Sequence, residues 1–144
     1  LLYLSDRIQH LTEKIIPAKA EGKIVLCDRF HDSTVAYQGF GRGLNLENIE
    51  SIITYSIKPF SPDVTFLITI SPETIVERLD QRKEHSAKDR IDIESNNFFA
   101  RVAKGYQKLA SAEPERFVCL DGEQEIEVIH QQIISELKNR FRIG

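Results

Sequence analysis

Asp28-Arg29-Phe30-His31-Asp32-Ser33-Thr34-Val35-Ala36-Tyr37-Gln38-Gly39 follows directly on the apolar run Ile24-Val25-Leu26-Cys27. Several residue types in this stretch can do chemistry. The guanidinium of Arg29 is a planar fork that matches a phosphate bidentately. A carboxylate beside a phosphate, here Asp28, suits a hydrated metal ion or a hydroxyl that must be held as well. The hydroxyls of Ser33 and Thr34, the ring of Tyr37 and the amide of Gln38 are recognition groups. In open α/β sheets ligands bind at the carboxyl ends of strands. The stretch therefore reads as a phosphate-ester site at the end of a strand.

The elements that must position these groups follow from periodicity. Apolar residues at 1, 4, 8, 11 and 15 predict a helix to about residue 20, stopped by Glu21-Gly22. The unbroken apolar run in 23–28 predicts a strand covered on both faces. Asp32 is placed to cap a helix through about Gln38, and Asn45 a second one with Leu46, Ile49, Ile53 and Ile57 on one face. A second strand is expected over 64–70. Ser71-Pro72-Glu73 then starts a helix that runs to about Lys83. Residues 84–93 are charged and aperiodic, a loop reading, and helical spacing resumes from Ser95 to about Ala112. A third strand is expected over 117–120, a turn at Asp121-Gly122, and a last helix over 125–141 with Ile126, Ile129, Ile133 and Leu137 inward. Strands alternating with helices imply parallel βαβ units with helices on both faces of the sheet. The expected fold class is α/β, as one domain over 1–144.

Composition sets the class of partner. The net charge of -3 and pI near 5.8 lack the basic excess of a nucleic-acid-binding chain. No stretch approaches the ~20 apolar residues of a membrane span, and no secretory signal is visible at the start. Cys27 and Cys119 each lie in an apolar run without metal-ligand spacing, so both are expected to be buried, reduced thiols of a cytoplasmic protein. His10, His31, His85 and His130 show no ligand spacing either. The chain has no methionine and opens on Leu1-Leu2-Tyr3-Leu4 in helical character, which predicts a piece of a longer protein.

Asp28-Arg29-Phe30 followed by Ser33, Ala36-Tyr37-Gln38-Gly39 resembles the thymidylate kinase (dTMP kinase) family of the bacterial type. Three further signals stand in the family's order. They are Tyr3 with Arg7 on the first helix, Pro62-Asp63-Val64-Thr65-Phe66-Leu67, and Asp89-Arg90-Ile91 ahead of Phe98-Phe99 and Tyr106. The resemblance covers essentially the whole chain. It implies a P-loop kinase-like fold, transfer of phosphate from ATP to dTMP with Mg²⁺, and a homodimer packed through helices that include the first.

Residue by residue, it implies that Tyr3 stacks on thymine and Arg7 donates to a base carbonyl. Arg29 would hold the acceptor phosphate, with Asp28 orienting Mg²⁺ through its water shell or an attacking oxygen. Ser33, Thr34 and Gln38 would line the nucleoside, and Tyr37 would press on the deoxyribose. The lid would lie at about 84–93, with Arg90 neutralising the moving phosphoryl group and Arg82 as the second candidate. Arg78 would lie against adenine, and the loop from Asp121 to Gln124 would enclose it.

One departure matters. The family's opening strand and Walker A loop have no counterpart here, and Gly39, Gly41 and Gly43 lack the following Lys-Ser/Thr. The expectation is therefore the C-terminal two-thirds of such an enzyme, inactive on its own and lacking its first strands. Two other readings remain open: a kinase of a different nucleotide, and a non-catalytic relic that binds nucleotide or a partner.

Overall fold

The computed structural model describes residues 2–57, 60–71, 73–75, 77 and 90–141, and for 90–96 the backbone alone. The first helix is continuous but not uniform. α1 (Leu2–His10) passes through a wider, π-helical stretch, Leu11–Ile15, into α2 (Ile16–Ala20). Pro17 accounts for the change of pitch. It has no N–H for the carbonyl of Glu13, and its ring crowds that turn. The helix ends as the sequence predicts, with Gly22 at φ 75 and Lys23 N donating to Ala18 O at 3.0 Å.

Residues 23–28 are the main departure from expectation. They pair with no other strand among the described residues, and Ile24 and Leu26 are 71% and 88% exposed. A strand exists only when its N–H and C=O groups meet a ladder partner, and an apolar composition does not supply one. Cys27 and Cys119 are exposed as well, so neither is the buried thiol expected.

The parallel sheet itself is present. β1 (Thr65–Thr69) pairs with β2 (Phe117–Asp121) in parallel, from Thr65 opposite Phe117 to Thr69 opposite Asp121. β2 buries Phe117 and Leu120, whereas Ile68 of β1 is 52% exposed, so the sheet is not covered on both faces.

α3 (His31–Thr34) continues through a π-helical stretch, Val35–Gly41, and α4 (Leu46–Ser56) follows. Asn45 caps α4 as expected, its Oδ1 accepting from Asn48 N at 2.9 Å. Asp32 does not cap α3. The helix has no side-chain cap, and the Asp32 carboxylate is committed elsewhere. Ser71 Oγ does cap Thr74 N, at 3.1 Å. Residues 73–75 and 77 are helical, and the rest of the helix expected to Lys83 lies outside the described residues.

α5 (Arg90–Ala112) begins five residues before the expected Ser95. Charge density alone does not stop a helix, because Glu, Lys and Arg are good helix formers. α6 (Ile126–Phe141) is the last element among the described residues, but none of its residues is fully buried and Ile126 is 81% exposed rather than inward.

The core therefore lies on one side. Leu4, Leu11, Phe30, Val35, Ile49, Ile53 and Ile57 are buried together, with Phe40, Leu46 and Leu109 packed around them. α5 runs against Val35–Gly41 so closely that a Cβ on Gly41 would stand 2.6 Å from Phe98 Cε2. Across the same contact, a Cβ on Gly105 would stand 2.8 Å from Phe40 Cδ2. Two glycines let the two helical backbones approach, and that approach carries α5 side chains to the candidate site. Among the described residues no helix is long and apolar enough to cross a membrane.

Candidate functional site

The site begins at a strained turn. Arg29 has φ 65, the left-handed region that a residue with a Cβ adopts only at a cost. The chain turns there into α3, and Ser33 N donates to Phe30 O at 3.1 Å. The Arg29 guanidinium thereby lies over the Tyr37 ring, 4.2 Å from its centroid, while its Nε donates to Ser33 Oγ at 3.4 Å.

Two other elements converge on the same turn. From α1, Arg7 Nη1 donates to Thr34 Oγ1. From α5, Tyr106 shares a 2.7 Å hydrogen bond between its hydroxyl and Ser33 Oγ. Tyr37 meets Phe98 edge-on at 5.9 Å and Tyr106 at 6.4 Å between ring centroids. Ser33 and Thr34 are buried, Arg7, Tyr37 and Tyr106 half-buried, and Arg29 exposed. Two guanidinium groups thus stand beside buried hydroxyls and a wall of rings. Such a set has the chemistry to hold an anion at the exposed arginine and a flat or hydroxylated group next to it.

Burial shifts two of these groups. It draws the Arg7 guanidinium below the usual arginine range, with the nearby Arg29 charge acting in the same direction. It pushes the Tyr106 phenol up, outweighing the hydrogen bond from Ser33, so the hydroxyl stays protonated at neutral pH.

Behind α3 lies a second polar cluster. Arg116 is 9% exposed and holds Asp32 bidentately, Nη1 to Oδ2 and Nη2 to Oδ1, both at 2.8 Å. Burial alone would lower the arginine's pKa, but hydrogen bonds to Asp32 and Glu113 outweigh it and raise it above the usual range. The neighbouring His31 shares a 3.3 Å hydrogen bond through Nε2 with Ser61 Oγ, while its buried Nδ1 has no hydrogen-bond partner among the described residues. Burial pulls this imidazole below its ordinary value.

The structure brings together Arg7, Arg29, Ser33, Thr34 and Tyr37 of the residues singled out in the sequence. Asp28 is exposed next to Arg29, Gln38 is half-buried, and Tyr3 is 67% exposed one turn before Arg7. Asp121 and Gln124 stand apart, bonded within their own turn and to α6. Asp121 Oδ1 accepts from Glu123 N at 2.9 Å, and Gln124 Oε1 accepts from Gln132 Nε2 at 3.0 Å. Arg78, Arg82 and residues 84–89 lie outside the described residues, whereas Arg90 opens α5, described in its backbone alone. Among the described residues no three of His, Cys, Asp and Glu gather as a metal cage.

Tyr106 as a partner of Ser33, and Arg116 as a partner of Asp32, were not foreseen. Their partners lie 73 and 84 residues away along the chain, and no local pattern marks either pairing.

Comparison with known proteins gives a consistent answer. A family model described as thymidylate kinase matches residues 1–133. A thymidylate kinase of Bacillus velezensis is 41% identical over 146 aligned positions, which cover 99% of this chain and 68% of that protein. One from Desulfovibrio desulfuricans is 43% identical over 145, covering 98% of this chain and 67% of that protein. The crystal structure of thymidylate kinase from Ehrlichia chaffeensis superimposes with a TM-score of 0.70 at 29% identity, over 94% of this chain and 60% of that one. The chain thus spans about two-thirds of the length of its relatives. With the helical order, the parallel sheet and the arginine-hydroxyl-ring cluster in agreement, the chain belongs to the thymidylate kinase family.

Proposed function

We propose that this chain supplies the acceptor side of a dTMP kinase, which transfers a phosphoryl group from ATP to dTMP and yields dTDP and ADP. The observation that carries the reading is the convergence of Arg29, Ser33, Thr34, Tyr37, Arg7 and Tyr106 at one turn of a chain from this family. Arg29, exposed and stacked on Tyr37, receives the acceptor phosphate. Arg7 and Gln38 read the polar edge of thymine, Tyr3 covers its face, and Tyr37 lies against the deoxyribose. Base stacking of this kind contributes ~1–3 kcal/mol.

Phosphoryl transfer needs alignment and neutralised charge more than covalent chemistry. Asp28, a single exposed carboxylate beside Arg29, suits Mg²⁺ held through its water shell, because Mg²⁺ keeps several waters and takes few protein carboxylates. The ion, when bound, neutralises phosphate charge. Arg90 and Arg82 are the proposed lid cations. Arg78, Asp121 and Gln124 are the proposed adenine contacts, and 84–93 is the proposed lid. We place the enzyme in the cytoplasm as a homodimer. The 144 residues contain no GxxxxGK[ST] loop, and we expect them to lack turnover by themselves.

The test uses the intact natural protein in a coupled assay with dTMP, dCMP, dAMP and deoxythymidine as acceptors. dTMP is expected to be preferred, and Arg29→Lys is expected to raise KM for dTMP by roughly tenfold, because a point charge cannot replace a bidentate fork. Preference for another acceptor, or an unchanged KM in the variant, would overturn the reading.

A further inference from the structure

We propose that Arg116, acting through Asp32, is a positioning residue for the acceptor site, holding α3 so that Ser33 and Thr34 present their hydroxyls to Arg29 and Arg7. The inference rests on the acceptor-site reading above and goes beyond it, since Arg116 belongs to the turn before β2 and touches none of the groups assigned to nucleotide.

The geometry of Arg116 is unusually complete. Its Nε donates to Glu113 Oε2 at 2.8 Å, and Nη1 donates to Asp32 Oδ2 and Thr65 Oγ1, both at 2.8 Å. Its Nη2 donates to Asp32 Oδ1 at 2.8 Å and Glu113 Oε1 at 3.1 Å. An arginine has five N–H donors, and each has a partner here. The guanidinium also lies over the Phe117 ring, 4.5 Å from the centroid. One side chain thus joins α3, the end of α5, β1 and the start of β2.

α3 depends on such an anchor. It is the first turn of the helical run that continues to Gly41, Phe30 ahead of it makes no side-chain cap, and the residue before that is held at positive φ. No cap holds this first turn at its N-terminal end, and the carboxylate of Asp32 is what ties it to Arg116. Asp32 follows Arg29 by three positions and directly precedes Ser33 and Thr34, so its carboxylate sets the angle at which both hydroxyls stand. Ser33 in turn accepts from Arg29 Nε and shares a hydrogen bond with Tyr106, and Thr34 accepts from Arg7. The chain of contact runs from Arg116 to Asp32, through the backbone of α3, to the two arginines that face the ligand. Small displacements of oriented groups cost far more in binding and rate than in folding.

The experiment measures KM for dTMP, KM for ATP, kcat and Tm in the intact natural protein. Arg116→Lys keeps the charge but loses the fork, and Asp32→Asn keeps the shape but loses the charge. Ile57→Val, in the buried core and bonded to none of the site's polar groups, serves as the control for simple destabilisation. Arg116→Lys is expected to raise KM for dTMP about tenfold and Asp32→Asn about threefold. KM for ATP should stay within about twofold in both, and Ile57→Val should leave both constants unchanged.

The positioning role is overturned if both site variants keep the wild-type KM for dTMP. It is equally overturned if the two KM values rise in parallel, or if Ile57→Val raises KM for dTMP as much. Should Arg116→Lys fail to fold, Asp32→Asn decides on the same readout. If the unaltered protein does not use dTMP, the acceptor-site reading fails and the positioning role with it. Wild-type turnover of dTMP with unmoved variants removes the positioning role alone.

Discussion

The two ends of this molecule are built differently. Around α3 and α5, side chains are buried, ring-packed and doubly hydrogen-bonded, and the core cluster of Leu4, Phe30, Val35 and Ile53 lies beneath them. Around β2 and α6, no helix residue is fully buried, Ile126 and Val128 are 81% and 45% exposed, and an open groove lined by Val118, Leu120 and Val128 separates strand from helix. Both ends have apolar patterning at the right period. Only the first has neighbours on enough sides to use it. Rigid support is therefore concentrated around the candidate site, which is where a site needs it.

The largest test of that contrast compares two ion pairs. Asp32→Ala removes the buried carboxylate that takes two of the Arg116 bonds and leaves the guanidinium to Glu113 and Thr65, so the loss should approach, without exceeding, the ~3–5 kcal/mol of a buried pair broken outright. Glu136→Ala removes the partner of Arg140 on α6, a surface pair of the kind worth ~0–1 kcal/mol. Urea unfolding should show a much lower midpoint for Asp32→Ala and little change for Glu136→Ala. Similar midpoints for the two variants would break the contrast.

A smaller effect probes packing. Gly41→Ala places a Cβ 2.6 Å from Phe98 Cε2 and 2.8 Å from Val102 Cγ2, an overpacking that costs ~1–3 kcal/mol. Phe98 is the ring against Tyr37, so Tm and dTMP affinity should both fall. Ser135→Ala on the exposed side of α6 should stay within ~0.5 kcal/mol of wild type. An unaffected Gly41→Ala would mean that α5 sits less tightly than these contacts require.

What could be read from the sequence divides along the same line. The caps at Asn45 and Ser71 and the stop at Gly22 are local chemistry, and all three stand as predicted. Arg29, Ser33, Thr34 and Tyr37 could be singled out together because they lie in one short stretch, the turn at Arg29 and the helix after it, and Arg7 lies at helical spacing on its own element. The apolar run at 23–28 misled because strand pairing is not local: composition makes a segment fit for a sheet but does not bring it a neighbour. Asp32 misled for a related reason. As a residue near a helix start it is a good cap, but a guanidinium 84 residues away offers two charge-assisted bonds and takes the carboxylate. Tyr106 shows the spacing of a core aromatic, and its hydroxyl reveals a role only once Ser33 is beside it.

The finest probe is the pH dependence of stability, and it turns on His31. The imidazole is 6% exposed, and burial is the first cause of its lowered pKa. Arg116 and Arg7 lower it further, while Asp32 and Glu113 oppose them. A histidine whose folded pKa lies below its unfolded value of 6.5 binds fewer protons when folded. Its contribution is therefore complete above that value and is lost as pH falls from there towards the depressed folded pKa. Acid charges an imidazole that has one hydrogen-bonded nitrogen and another, Nδ1, 3.4 Å from Asp32 Oδ1 without a bond. His31→Gln cannot titrate. In denaturant titrations it should flatten the fall in stability below about pH 6.5 relative to wild type, since the effect is one proton's worth. The same substitution should leave the midpoint at pH 8 nearly unmoved if Gln keeps the contact to Ser61. A wild-type profile already flat across that range, or one that rises towards acid, would mean that the Asp32 carboxylate outweighs burial, and that the cluster behind α3 holds a charged imidazole.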